Sequence, residues 1–393
     1  MAASGDRDRV LSILRSPRLL LPTALLLSLI FLSYSLFNHV PTISRIGNNH
    51  IVASATGAFS YQRTSPIQNA TLGFERVFIL NLPERTDKLD AFTLSSSLHS
   101  PTFDVIEGVH GSLILNKSLP TLNKLPQKET ARNNMLGTWR AHLNFAQRMV
   151  RERISTAIVF EDDADWDVNL RTQLEQFAHG SQYISSAFSP PTALKSKSYG
   201  GPHSPYGDDW DLLWLGHCGV STHPADPRLF IIDNDPTVPS PLHRVNYQSI
   251  PNMSGFSNST RIVHRVRSGC CLYSYALSQR GAQKMLLAQS TLTEFQPVDI
   301  AMRLMCQESD SFKCIGVFPQ IIDTHKAAGS IERDSDMTSF DKQQARTKGF
   351  TNNIVRSTRL NWAPLLAGTT DAIEVQFPED TPEIRGGVSM RTG

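Results

Sequence analysis

Seven positions, Glu161 to Asp167, hold five acids, and they come straight after the apolar run Ala157-Ile-Val-Phe160. Carboxylates crowded at a strand end repel one another unless a cation or solvent relieves them, and a hard divalent ion with oxygen ligands supplies that relief. Glu161, Asp162 and Asp163 could hold Mg²⁺ or Mn²⁺ with several coordination positions left open. A magnesium-type ion prefers a few carboxylates plus substrate phosphates to an all-protein cage, so the pattern points to a nucleotide diphosphate more than to a metal by itself. Set against this is a solvated strand-to-loop turn, with Asp165 or Asp167 capping a short helix.

The acids need elements to present them. Leu136, Trp139, Leu143, Ala146 and Val150 step by three and four residues, which predicts a helix ending near Arg153, followed by a strand over Thr156 to Phe160. Upstream, Arg76-Val-Phe-Ile-Leu-Asn-Leu82 is a short β-forming run bounded by Pro83, and the polar PERTDK segment turns into a helix reaching Leu98. Further strands are expected at Leu212–Leu215, Arg261–Val266, Cys271–Tyr275 and Cys314–Phe318. Helices are expected from Ser278, an N-cap, through Gln289 and from Pro297 through Cys306. Short buried strands alternating with helices give a layered α/β domain with a mostly parallel sheet, in which ligands bind beyond the carboxyl ends of strands. The acid run is at such an end. Ser189 to Gly207 reads as a long loop and the chain beyond Pro378 as a disordered tail; there are no internal repeats.

Outside this domain the strongest signal is Leu19 to Phe37, an uncharged apolar run just long enough for the hydrocarbon core. Arg7, Arg9, Arg15 and Arg18 precede it, so the positive-inside rule makes residues 1–18 a cytosolic tail, 19–37 a signal anchor and 38–73 a luminal stem. A cleaved signal peptide is the competing reading. The short span suits Golgi or endoplasmic reticulum membranes. Four glycosylation triplets, at Asn69, Asn116, Asn252 and Asn258, lie beyond the span, as do all five cysteines. Cys306 with Cys314, and Cys218 with Cys270 or Cys271, are the expected pairs, and no zinc-ligand spacing is present. Lys and Arg total 38 against 36 Asp and Glu, so no global field favours nucleic acid.

Five motifs in order resemble glycosyltransferase family 25, the group that includes lipopolysaccharide glycosyltransferases and collagen galactosyltransferases. They are VFILNLPERTDKL, LGTWRAHLNFA, AIVFEDDADW, WDLLWLG and YALSQRGAQKML, and they span roughly Phe74 to Asp336. The resemblance implies a GT-A-type, Rossmann-like α/β/α sandwich over residues 74–349, with 350–393 a partly disordered extension. It also implies inverting transfer of a hexose, galactose or glucose, from a UDP-sugar with Mn²⁺ or Mg²⁺ to a glycan or glycoprotein acceptor. In the helix motif only Gly137 and His142 carry over, and the stretches Ser189–Gly207 and His223–Thr260 are longer than expected between core strands.

By that resemblance Asp162 and Asp163, with Glu161 beside them, reach metal and diphosphate, and His325 completes the metal shell. Asp299, at a helix start in EFQPVDIAM, takes the general-base role, with helix capping as its alternative. Arg85 and Lys88, just after the first strand, are placed for ribose or phosphate, Asn81 for the base, and His142 for the sugar or a structural hydrogen bond. Trp139 belongs to the core stripe. Asp208, Asp209 and Asp211 precede a strand and so fall at the opposite edge. Two other activities use similar residues: a glycoside hydrolase with two carboxylates, and a metal-dependent lectin.

Overall fold

The computed structural model describes residues 44–46, 50–52, 65–99, 101–120, 125–188, 204–308, 311–337, 344–378 and 387–393. The expected membrane span at Leu19–Phe37 lies outside them; among the described residues no helix is long and apolar enough to cross a membrane. The chain divides into a unit over Met1–Ala58, in which Ser44–Ile46 and His50–Val52 pair as a short antiparallel ladder, and a unit over Phe59–Gly393.

The larger unit is built on one mixed sheet. Its strands are β1 (Arg76–Asn81), β2 (Asp104–Glu107), β3 (Thr156–Glu161), β4 (Ala164–Trp166), β5 (Leu212–Gly216), β6 (Val220–Thr222), β7 (Leu229–Asp233), β8 (Arg261–Gly269), β9 (Ser274–Ser278), β10 (Cys314–Phe318), β11 (Ile322–Lys326), β12 (Phe350–Thr351) and β13 (Ser389–Thr392). They lie in the order β13-β7-β8-β10-β5-β9-β3-β1-β2, with β4, β6, β11 and β12 paired off this path. β1 pairs in parallel with β2 and β3, β5 with β10, and β9 runs antiparallel between β3 and β5. Five of these six central strands therefore point one way, which is the sense in which the sheet is mostly parallel. Beyond them β8, β7 and β13 alternate in direction.

β1 is buried at every position after Arg76, as a strand covered on both faces must be, and its side chains alternate between two cores. Phe78 and Leu80 pack with Trp139, Leu143, Trp214, Met285 and Met302. Val77 and Ile79 pack with Phe92, Leu174, Phe177 and Phe230. The first face is covered by α2 (Glu129–Glu152), α4 (Gln279–Ser290) and α5 (Val298–Glu308), the second by α1 (Thr86–His99) and α3 (Leu170–Ser185). The apolar stripe of α2 faces the core as its spacing predicts, and the helix stops where Arg153 turns left-handed at φ 58°. Helices on both faces of such a sheet make a Rossmann-like α/β unit.

Several expectations are corrected. The strand placed at Cys271–Tyr275 forms instead at Ser274–Ser278, because Cys271 sits at φ 58° and Cys218 faces both Cys270 and Cys271, holding them outside the ladder. The partner expected for Cys306, Cys314, is observed. The stem boundary at residue 73 falls inside the folded unit, since Ile67 and Leu72 are fully buried. The C-terminal extension is structured where it is described: residues 351–361 are largely buried, α6 (Trp362–Ala367) follows, and β13 adds to the edge strand β7 with Arg391 donating to Asp233 at 2.7 Å. An exposed strand edge offers unpaired backbone groups, and the tail fills them. Of the Ser189–Gly207 loop only 204–207 is described, with Tyr206 buried and stacked on Phe74 at 4.4 Å.

Candidate functional site

β1 and β3 run side by side with Leu80 opposite Glu161, so their carboxyl ends, Asn81 and Asp162, meet at one point of the sheet edge. The five acids divide there into two kinds. Asp165 is fully buried and filled with donors: Thr351 Oγ1 at 2.6 Å, the Ser357 hydroxyl, and the backbone N–H groups of Trp166 at 2.9 Å and Arg359 at 3.2 Å. Asp167 accepts from Asn169 N–H at 3.0 Å, Asn169 Nδ2 at 2.9 Å and Arg356 N–H at 2.9 Å. Burial lifts its carboxyl to about 6 against those bonds. These two acids tie β4 to the C-terminal segment, and Asp167 makes the turn into α3.

The other three face a cavity of about 490 Å³ lined also by Asn81, Lys88 and His142. Asp162 accepts from Asn81 Nδ2 at 2.9 Å and pairs with Lys88 Nζ at 3.1 Å. Burial raises its carboxyl to about 6, opposed by Lys88 and reinforced by Asp163. Burial would discharge Lys88, but Asp163, Asp162 and Asp336 outweigh it and hold the ammonium firmly protonated. Asp163 differs from its neighbours: its Oδ1 is buried with no donor in reach. Glu161 lies 3.6 Å from His142 Nε2, whose other nitrogen is 3.0 Å from the Tyr275 hydroxyl. His142 thus has both the structural hydrogen bond and a place on the cavity wall.

That wall exists because α2 comes close to the loop after β2. A Cβ on Gly137 would sit 2.2 Å from the Val109 carbonyl oxygen, and one on Gly111 would sit 1.9 Å from that of Asn133. Only glycine admits this approach.

His325 is on β11, where its N–H donates to the Asp163 carbonyl at 2.8 Å. Its Nδ1 is 2.9 Å from Thr351 Oγ1, and burial lowers the ring to about 4, leaving it neutral. It lines a second cavity, of about 450 Å³, together with Asp163 and Lys88. Among the described residues, however, the one group of three or more His, Cys, Asp or Glu whose ligand atoms lie within 4.8 Å of one another is Cys218, Cys270 and Cys271. Asp162, Asp163 and His325 therefore do not form a closed three-ligand cage. Arg85 is fully engaged, with Asp87 at 3.0 Å, the Arg333 carbonyl at 2.9 Å and both oxygens of Asp336.

Asp299 does not line either cavity. Its carboxylate accepts from Cys271 N–H at 3.1 Å and Ile300 N–H at 2.8 Å. Trp139 is in the core, donating to Gln289 at 2.8 Å.

Two residues at the site had no sequence signal attached. Asp336 reaches over the first cavity to Lys88 Nζ at 2.9 Å. Arg359, 8 % exposed, donates to the Asp162 carbonyl at 2.8 Å from the segment read as an extension. Trp362 and the apolar pair Ile354-Val355 were the available hint that this segment packs.

No family model matches the chain. Over 250 residues it is 22 % identical to a Bos taurus protein named probable inactive glycosyltransferase 25 family member 3, covering 61 % of this chain and 33 % of that one. The chain thus spans about a third of the length of the curated relative it matches. A distant homologue in a glycosyltransferase family accords with the order of motifs.

Proposed function

We propose that the chain is a metal-dependent, inverting glycosyltransferase of GT-A type that moves a hexose, galactose or glucose, from a UDP-sugar to a glycan or glycoprotein acceptor. The observation that carries this is the unfilled, buried Oδ1 of Asp163 beside a protonated, buried Lys88, in a cavity beyond the carboxyl ends of two parallel strands. An orphaned carboxylate oxygen calls for a cation, and a buried ammonium held by Asp162 and Asp336 can exchange one of them for a phosphate; a divalent ion carrying a diphosphate answers both.

Asp163 and His325 would hold Mn²⁺ or Mg²⁺, with Asp162 joining them if Lys88 releases it. The ion would supply charge stabilisation for the departing diphosphate. The chain's own groups do the rest. Lys88 and Arg85 neutralise phosphate oxygens once Asp336 yields them. Asn81, fixed by donating to the Arg85 carbonyl at 3.1 Å, meets the nucleoside, and His142 steadies Glu161 toward the sugar. A general base for the acceptor hydroxyl has to come from the cavity walls rather than from Asp299.

A place in the secretory pathway, anchored by Leu19–Phe37, is supported by the paired cysteines and by the exposure of Asn69, Asn116, Asn252 and Asn258. The test is the melting temperature of the purified full chain with UDP, with Mn²⁺, and with both, since a ligand that binds only the folded state raises stability by mass action. The reading expects a rise that needs both together. A folded chain indifferent to every combination would return the acids to a hydrolase or lectin role.

A further inference from the structure

The second cavity lies against α1 on one side and the C-terminal segment on the other. It shares Lys88 and Asp163 with the first, so whatever binds in one is next to whatever binds in the other across that pair. Its charges nearly cancel: Asp87, Asp90, Asp163 and Asp334 stand against Lys88, Arg333 and Arg359. Most are already matched, Asp87 with Arg85 at 3.0 Å and Asp334 with Arg346 at 2.6 Å. Apart from Asp163 and His325, which would face the ion from its inner wall, the rest of this cavity is balanced in charge and suits a neutral ligand.

What it does have is one unused donor and one apolar wall. Arg359 is held by its bond to the Asp162 carbonyl, yet its Nε is buried without an acceptor. A buried donor left unpaired carries a desolvation penalty that a bound hydroxyl would remove. Trp362 lines the same space, its ring fixed by donating to Ser95 Oγ at 2.9 Å, with Ala91 and Leu94 of α1 beside it. A neutral ligand with one apolar face and a rim of hydroxyls matches that surface, which is the build of a pyranose ring.

We infer that this second cavity is the acceptor site and that it takes a neutral saccharide, with a ring face on Trp362 and a hydroxyl accepting from the Arg359 guanidinium once it turns toward the cavity. The inference rests on the transferase reading and adds to it the side from which the acceptor arrives: past α1 to Asp163, away from Asp299. The C-terminal segment, which carries both Arg359 and Trp362, is then part of the binding surface.

Saturation-transfer NMR on the full chain with UDP and diamagnetic Mg²⁺ present tests this, using methyl β-galactoside, methyl β-glucoside and methyl α-mannoside as probes. At least one probe should receive saturation, and Ala91→Trp, which fills the cavity from α1, should weaken its binding at least tenfold while leaving the UDP-induced melting shift intact. Trp362→Ala, on the opposite wall, should do the same, so a folding defect in one variant does not decide the matter. Absence of transfer to every probe, or transfer unchanged in both variants, would overturn the acceptor site while a wild-type UDP shift kept the transferase reading. Loss of the UDP shift in both folded variants would mean that the cavities are one nucleotide site, which also overturns it. A wild-type chain with no UDP shift at all would bring down both.

Discussion

The two edges of the central sheet each carry a cluster of acids, and they are satisfied in different ways. At the amino edge, Asp211 is fully buried and receives Arg280 Nε at 2.7 Å, Lys284 Nζ at 2.7 Å and Lys313 N–H at 2.9 Å, while Asp209 takes Lys313 Nζ at 2.7 Å. Every oxygen there has a partner supplied by the fold. At the carboxyl edge Asp162 shares Lys88 with Asp336, and Asp163 keeps an oxygen with none. Burial of an acid is common to both edges. The unfilled acceptor is peculiar to one, and it is the better mark of a site that expects something from outside.

Breaking one partner of a buried ion pair strands its counter-charges, so Asp211→Ala should cost about 3 kcal/mol in urea unfolding, less if solvent reaching Arg280 and Lys284 screens them. Asp163→Ala should leave the unfolding midpoint close to wild type and remove the Mn²⁺-dependent part of the UDP melting shift. The reverse pattern would erase the distinction between the two edges. Gly137→Ala comes next: its new Cβ would meet a backbone oxygen at 2.2 Å, and overpacking of this kind costs roughly 1–3 kcal/mol. The expected result is a lower melting temperature together with a weaker UDP shift, since the wall that moves is a wall of the cavity.

Asp336→Asn sharpens the comparison from the other side. If its carboxylate stands where a phosphate would, neutralising it should tighten UDP about three- to tenfold by calorimetry, because Lys88 and Arg85 no longer lose an anionic partner on binding. Weaker binding would mean that Asp336 braces the two cations instead. A pH-dependent test concerns Asp323, whose carboxyl burial raises to about 7 despite bonds from Asn353 at 2.6 Å and Gln320 at 3.0 Å. The folded state therefore binds its proton more tightly than the unfolded state, whose value is near 3.8. That contribution to stability is complete below the unfolded value and disappears as pH rises through about 7. Asp323→Asn should flatten the fall in melting temperature over this window, and an unchanged slope would assign the fall to other groups.

Much of the frame was legible because it is written in apolar periodicity: β1, β3 and β10 as continuous buried runs, α2 as a stripe, and α4 from its Ser278 cap, which accepts from Gly281 N–H at 3.0 Å. The Ser-x-Arg-Gly-Ala stretch is likewise explained by packing, since Arg280 holds Asp211 and a Cβ on Gly281 would meet the Asp211 carbonyl at 2.1 Å. The acid turn could be placed at a strand end, but the division of labour within it could not. It depends on Thr351, Ser357 and the Arg359 backbone, and a run in which Thr351, Asn353, Ser357, Thr358 and Asn361 are buried looks like a solvated tail when only hydrophobicity is read. Polar residues enter a core through specific hydrogen bonds, and their partners are invisible until the chain is folded.

Asp165 finds three of its four donors 186, 192 and 194 residues further along the chain. During synthesis β1, β2 and β3 leave the ribosome well before those donors do, and contacts of such separation are costly to close. The acid turn is therefore completed only after residues 351–359 have been made, and a chain interrupted before Arg359 would carry a sheet with its candidate site still unassembled.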